Sequence, residues 1–146
     1  MKSNPAYIEH SVQIKVRFSE VDSLKIVWHG NYLKYFEDAR EDFGAKSGLT
    51  YLDFFDAGFV TPIVSSSIQH KSPLFYGSEA IVTIRLIASR AAKIIHEYTV
   101  VDSVTKKLVA TGETIQVFLD NEGVLQLTVP DFYEEWKLAQ KWTDPA

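Results

Sequence analysis

From Ser11 onward hydrophobic and polar residues alternate, with Val12, Ile14, Val16 and Phe18 on one side and Gln13, Lys15 and Arg17 on the other. That is the period of a half-buried β-strand. At Asn31 the period lengthens: Tyr32, Leu33, Tyr35, Phe36, Ala39 and Phe43 share one side, and Lys34, Glu37, Asp38 and Glu41 take the other. The spacing predicts an amphipathic helix of about three to four turns, with Asn31 as its N-cap and Gly44 as its stop. A mixed connection, "SGLTYLDFFDAG", holds a short helical turn and leads into "FVTPIVSSSIQH". This run is extended but contains Pro62, which predicts an edge strand or a bulge. Three strongly extended runs follow, "AIVTIRLIAS", "AKIIHEYTVVDS" and "KLVATGETIQVFL". Their short connectors predict an antiparallel meander. "PDFYEEWKLAQKW" opens with a proline and acids at helical spacing, giving a C-terminal helix.

The order is one strand, one long apolar-faced helix, four strands and a terminal helix, an α+β arrangement. No second helix of similar length is present to cover the sheet, so the economical packing is an antiparallel five-stranded sheet wrapped around the one long helix. A sheet built this way keeps an exposed edge or face, and a second copy of the chain would cover it. A homodimer or homotetramer is expected. The 146 residues, 46% hydrophobic and 23% charged, fit a single domain over residues 1–146 with a real core. The absence of cysteine removes thiolate metal sites, disulfides and a cysteine nucleophile. A formal charge of −4 provides no global field for a nucleic acid. No segment reaches the roughly 18 apolar residues of a membrane span, and the first residues lack the apolar run of a signal peptide. A cytoplasmic protein without nucleic-acid partners is expected.

The chemistry concentrates in "FSEVDSLKIVWHGNYLKYFEDAR", residues 18–40. Asp22 lies in a polar turn, where an aspartate commonly bonds its own backbone. Seven residues later the run "IVWHGNY" delivers His29 and Gly30 to the helix N-terminus. Unpaired N–H groups and the positive end of the helix dipole meet there, a place where an oxyanion is stabilised. An acid that activates water or attacks a carbonyl, beside donors that polarise the carbonyl, is the minimum equipment for acyl-group hydrolysis. A histidine at this position is a residue type able to hold or donate a proton, although bonding a backbone carbonyl would also account for it. His70, in a turn, and His96, in a strand, lie apart from any ligand set, so no metal site is expected. Nucleophile-elbow, Walker and dinucleotide-binding glycine patterns are missing.

The same stretch resembles the opening of the 4-hydroxybenzoyl-CoA thioesterase family of hotdog-fold proteins, in which an acid follows the first strand and an apolar-aromatic run leads into a central helix. "IQHKSPLFYGSEAIVTIRL" is similar to that family's strand, proline, glycine and strand segment, and the resemblance spans residues 12–119. It implies a hotdog fold and an acyl-CoA thioesterase that uses Asp22 as nucleophile or general base. The N–H of His29 would polarise the thioester, with its imidazole also involved. Asn31 and Tyr32 match the helix entry, and Glu37 and Arg40 match helix positions that shape the pocket. Lys25 stands where the family usually has glycine, and a loop needing a positive φ would strain it. The implied substrate is an acyl-CoA or acyl-carrier-protein thioester; coenzyme A is then part of the substrate and no cofactor is implied. Lys71, Arg90 and Lys93 are the candidate phosphate partners. In the family the sites lie at the dimer interface, so Ser65, Ser66 or Ser67 would line the wall opposite Asp22 according to register. Alternatives are a hydrolase of carrier-bound chains, a hotdog protein that binds acyl-CoA without turning it over, and an enoyl-thioester hydratase.

Overall fold

A computed structural model describes residues 5–144 of the chain. Strand β1, Tyr7–Lys15, is followed by a single 3-10 turn at Phe18–Glu20 and by helix α1, Asn31–Ser47. Then come α2 (Tyr51–Asp56), β2 (Phe59–Val60), β3 (Ile63–His70), β4 (Glu79–Ile87), β5 (Lys93–Asp102), β6 (Leu108–Val117), β7 (Leu119–Asp120) and α3 (Asp131–Leu138). Five strands form one antiparallel sheet in the order β1-β4-β5-β6-β3, and β2 pairs with β7 in a separate short ribbon. The meander β4-β5-β6 and the edge position of β3 agree with the sequence pattern. Pro62 immediately precedes β3, and the register breaks between Ile63 and Ser65, the irregularity that a proline at a strand start accompanies.

Alternation along the strands defines the face that α1 covers. Val82, Ile84 and Leu86 of β4, Ile94, His96, Tyr98 and Val100 of β5, and Ala110, Thr114 and Gln116 of β6 are buried. Tyr32, Tyr35, Phe36, Ala39 and Phe43 of α1 are buried with them. Phe36 stacks on Tyr98 with ring centroids 4.2 Å apart. A Cβ on Gly112 would stand 2.4 Å from the Phe36 ring, so the helix lies this close to β6 only because residue 112 is glycine. Burying large aromatic rings between helix and sheet is the main source of stability here, at about 1.5–3 kcal/mol for each fully buried side chain.

Three boundaries differ from the expectation. Phe18 leaves the strand and sits in the 3-10 turn, 77% exposed. Gly30, not Asn31, is the N-cap of α1. Gly44 lies inside the helix, and the stop is Gly48 at φ 75°, where glycine takes the left-handed conformation without penalty. The C-terminal segment closes the far end of the sheet. Tyr133 is buried and stacks on Trp136, the Trp136 indole donates to the Ser47 carbonyl at the end of α1 (2.8 Å), and Thr143 bridges Tyr7 at the start of β1.

Candidate active site

The segment between β1 and α1 is a small hairpin. Asp22 N–H donates to the Ile26 carbonyl and Lys25 N–H to the Asp22 carbonyl, both at 2.9 Å, while Val21 bridges Val27. This is a three-residue loop whose last residue takes the left-handed conformation, the usual glycine position of such a turn. Lys25 occupies it at φ 65°. The loop therefore does require a positive φ, and lysine adopts it. One Asp22 carboxylate oxygen accepts from Leu24 N–H at 2.8 Å, the local bond that fixes an aspartate in a turn. Asp22 is half-buried. The hairpin is pinned from the outside by Val27 N–H to the Leu74 carbonyl (2.8 Å) and by Tyr76 N–H to the Lys25 carbonyl (3.2 Å).

Glu20 joins this hairpin to the helix. Its carbonyl accepts from Trp28 N–H (2.9 Å) and from the Asn31 side-chain amide (2.7 Å). Its carboxylate accepts from Arg17 N–H (2.7 Å) and the Tyr35 hydroxyl (3.1 Å). Asn31 is thus a buried donor that anchors the helix start, and not the acceptor a cap requires. Sequence reasoning passed over Glu20; the one signal for it was an acid two residues before Asp22. At the mouth itself, Gly30 supplies no side-chain cap. The N–H groups of His29 and Gly30 meet no backbone acceptor among the described residues. Two N–H groups without a backbone acceptor stand at the start of a 17-residue helix, where negative charge is favoured. The Trp28 indole lies across Gly30, where an added Cβ would come within 2.2 Å of the ring.

The side chains around the mouth come from three elements. The exposed His29 ring packs on Trp28 (centroids 5.0 Å) and meets His70 edge-on at 6.4 Å. His70 ends β3 and also meets Tyr32, at 5.2 Å. Tyr32 is buried, and desolvation pushes its phenol up to about 12, so it keeps its proton through the neutral range. Burial, followed by the Glu20 carboxylate, pushes the Tyr35 phenol higher still. His70 is therefore not isolated as expected but lies at the helix mouth. The register needed for this joins residues 41 positions apart, which no local pattern reveals.

Of the remaining candidates, Ser66 shares a β3 face with Ile68 and His70, while Ser65, Ser67 and Gln69 alternate onto the other. Lys71 follows His70 and donates to the Gln69 side chain (3.1 Å). Arg90 and Lys93 lie elsewhere. β1 runs from Tyr7 opposite Ile87 to Lys15 opposite Glu79, so the β4–β5 turn carrying both cations is at the end of the sheet away from the helix mouth. Within one chain they do not join the site. His96 is buried in β5 facing Phe43 and Tyr98. Desolvation and the neighbouring Arg40 hold its pKa down to about 3. It is a neutral core residue.

A family model described as the thioesterase-like superfamily matches residues 16–137. The chain belongs to the thioesterase-like superfamily. The putative acyl-CoA thioesterase YneP of Bacillus subtilis is 29% identical over 132 residues, covering 88% of this chain and 96% of that one. Among solved structures, a DHNA-CoA thioesterase from Staphylococcus aureus superposes with a TM-score of 0.77 at 24% identity, covering 89% of each chain. A 4-hydroxybenzoyl-CoA thioesterase variant complexed with 4-hydroxybenzoyl-CoA superposes with a TM-score of 0.76 at 24% identity, covering 88% of this chain and 97% of that one. The fold of this superfamily member is the hotdog fold, and membership sets its reaction class as thioester hydrolysis.

Proposed function

We propose that this thioesterase-superfamily chain hydrolyses an acyl-CoA to the free carboxylic acid and CoA, with Asp22 as nucleophile or general base. The observation that carries the reading is the pair of N–H groups at His29 and Gly30, beside the Asp22 hairpin, that meet no backbone acceptor among the described residues. In this reading the thioester carbonyl oxygen points into the helix mouth. There the two N–H groups and the helix dipole stabilise the charge that develops on the oxygen during attack. Asp22 takes a proton from water or attacks the carbonyl carbon itself. The high phenol pKa of Tyr32 suits a hydrogen-bond donor lining the site.

The buried rings of Tyr32, Tyr35, Phe36 and Phe43 belong to the core and give no reason to favour an aromatic acyl group. The exposed edge of β3, with Ile63 and Val64 open to solvent, supports pairing with a second copy. Arg90 and Lys93 of that copy would then be free to meet the CoA phosphates of a neighbouring site.

The test is release of free CoA thiol from acetyl-, hexanoyl-, palmitoyl- and benzoyl-CoA, run on the wild type and on Asp22→Asn. Asparagine keeps an oxygen for the Leu24 N–H, so the turn survives and the loss is chemical. The expected result is turnover by the wild type and a drop of about 10²–10⁴-fold in the variant, the range for a lost acid-base group. Near-normal turnover by Asp22→Asn would overturn the role of Asp22. Turnover confined to the matched acyl-carrier-protein thioesters would move the substrate from CoA to the carrier.

A further inference from the structure

Of the four histidines, His10 is committed to Asp42 on α1 (2.5 Å) and His96 is enclosed in the core. His29 and His70 are the exposed pair, and they come from opposite walls of one site. His29 belongs to the loop that enters α1, and its ring rests on Trp28 at 5.0 Å. His70 belongs to the sheet, at the end of the edge strand β3, and stands edge-on to His29 at 6.4 Å with Tyr32 at 5.2 Å. No side-chain or backbone partner occupies its ring nitrogens among the described residues, whereas the neighbouring Lys71 and Ser72 N–H groups are both held by the Val109 carbonyl. The strand end is fixed and the imidazole is free.

This disposition bears on a need of thioester hydrolysis that Asp22 and the helix mouth leave unmet. The carbonyl oxygen faces the N–H donors, and the attacking oxygen comes from the Asp22 side. When the tetrahedral intermediate collapses, the C–S bond breaks and its electron pair goes to sulfur. A proton delivered to that sulfur lowers the barrier, and imidazole is the side chain whose titration range suits delivery near neutrality. We infer that His70 is a further catalytic residue of the proposed site, the general acid that protonates the departing thiolate.

The assignment rests on the thioesterase reading above and adds one step to it. Water loses a proton to the Asp22 carboxylate as its oxygen bonds to the carbonyl carbon. The intermediate expels the thiolate, and the His70 imidazolium gives its proton to sulfur, leaving neutral imidazole. Asp22 returns its proton to His70 through solvent, so the enzyme is restored and the net products are acid and thiol. His29 contributes its N–H at the oxygen end, with its ring packed on Trp28.

The test uses the dependence on leaving group. Hexanoyl-CoA and benzoyl-CoA are compared with the 4-nitrothiophenyl thioesters of the same acids, whose far more acidic thiol needs no proton to depart. For His70→Gln, kcat/KM on the CoA esters is expected to fall by about 10²-fold or more, while the aryl thioesters are hydrolysed within a few-fold of the wild type. Asp22→Asn is expected to fail on both. His70 lies exposed at a strand end, so glutamine leaves the core packing intact. An equal loss on both kinds of ester would make His70 a structural or positioning residue and overturn the assignment, as would unchanged activity on the CoA esters. A wild type inert toward every CoA ester would instead overturn the thioesterase reading, and this step with it.

Discussion

At the scale of single residues, Lys25 shows a cost that the chain tolerates. An L-residue other than glycine in the left-handed region is disfavoured by about 1–2 kcal/mol, and glycine returns part of that gain through the extra freedom of its unfolded state. Lys25→Gly, at φ 65°, is therefore expected to stabilise the protein by roughly 0.5–1 kcal/mol. Urea unfolding should show a higher midpoint with an unchanged slope. His96 sets a pH limit. Its pKa is held down to about 3 in the folded protein, chiefly by burial, against about 6.5 in the unfolded chain. Between those values the unfolded chain binds the extra proton, so stability is full above about pH 6.5 and falls as pH drops, by about 1.4 kcal/mol per unit. Denaturation followed from pH 7 to 5 should give a steeper acid decline for the wild type than for His96→Gln, whose side chain does not titrate. Parallel curves would show that His96 is not buried as a neutral base.

At the scale of elements, the helix mouth is shaped by a glycine that serves space more than backbone freedom. Gly30 has an ordinary right-handed helical backbone, but a methyl group there would strike the Trp28 indole at 2.2 Å. Gly30→Ala is thus expected to displace that ring, which also supports His29, while leaving the helix in place. Thioester turnover should fall by roughly 10–100-fold, the scale of a misplacement of about 1 Å, with circular dichroism unchanged and Trp28 fluorescence shifted. The elements themselves were largely legible in the sequence, because alternation in β1, β4, β5 and β6 and the helical stripe of α1 report directly on a buried face. Their ends were less so. Asn31 has the composition of a cap, yet Glu20 turns it into a donor. Gly44 has the composition of a stop, yet it is glycine because the Leu49 carbonyl passes 2.6 Å from where its Cβ would be. In the site, Asp22 and His29 stood out through local spacing. Glu20 and His70 matter through contacts made only when the hairpin and the edge strand have docked, and the sequence carries no local mark of that.

At the scale of the whole molecule, the unfinished feature is β3. It is an edge strand with Val64 60% exposed, three consecutive serines, and no charged residue between Ile63 and Gln69. Such an edge invites pairing. Ultracentrifugation is expected to show a dimer for the wild type and a monomer for the double variant Ile63→Glu, Val64→Glu, whose like charges would oppose each other across a two-fold axis. A dimer that survives both glutamates would place the interface elsewhere on the molecule.

The bridge between Tyr7 and Thr143 also orders events in time. Strand β1 gains its partner β4 once Ile87 has been made, whereas the second bridge at Tyr7 closes only when the ribosome has reached Thr143. Helix α1 meets the same delay: its aromatic stripe is synthesised by Ser47, but the β6 surface that covers Phe36 is complete only at Val117. At 5–20 residues per second that interval lasts on the order of 4–14 s. During those seconds the nascent chain displays Tyr32, Tyr35, Phe36 and Phe43 unpaired, and it is in this window, more than after release, that holding chaperones have something to grip.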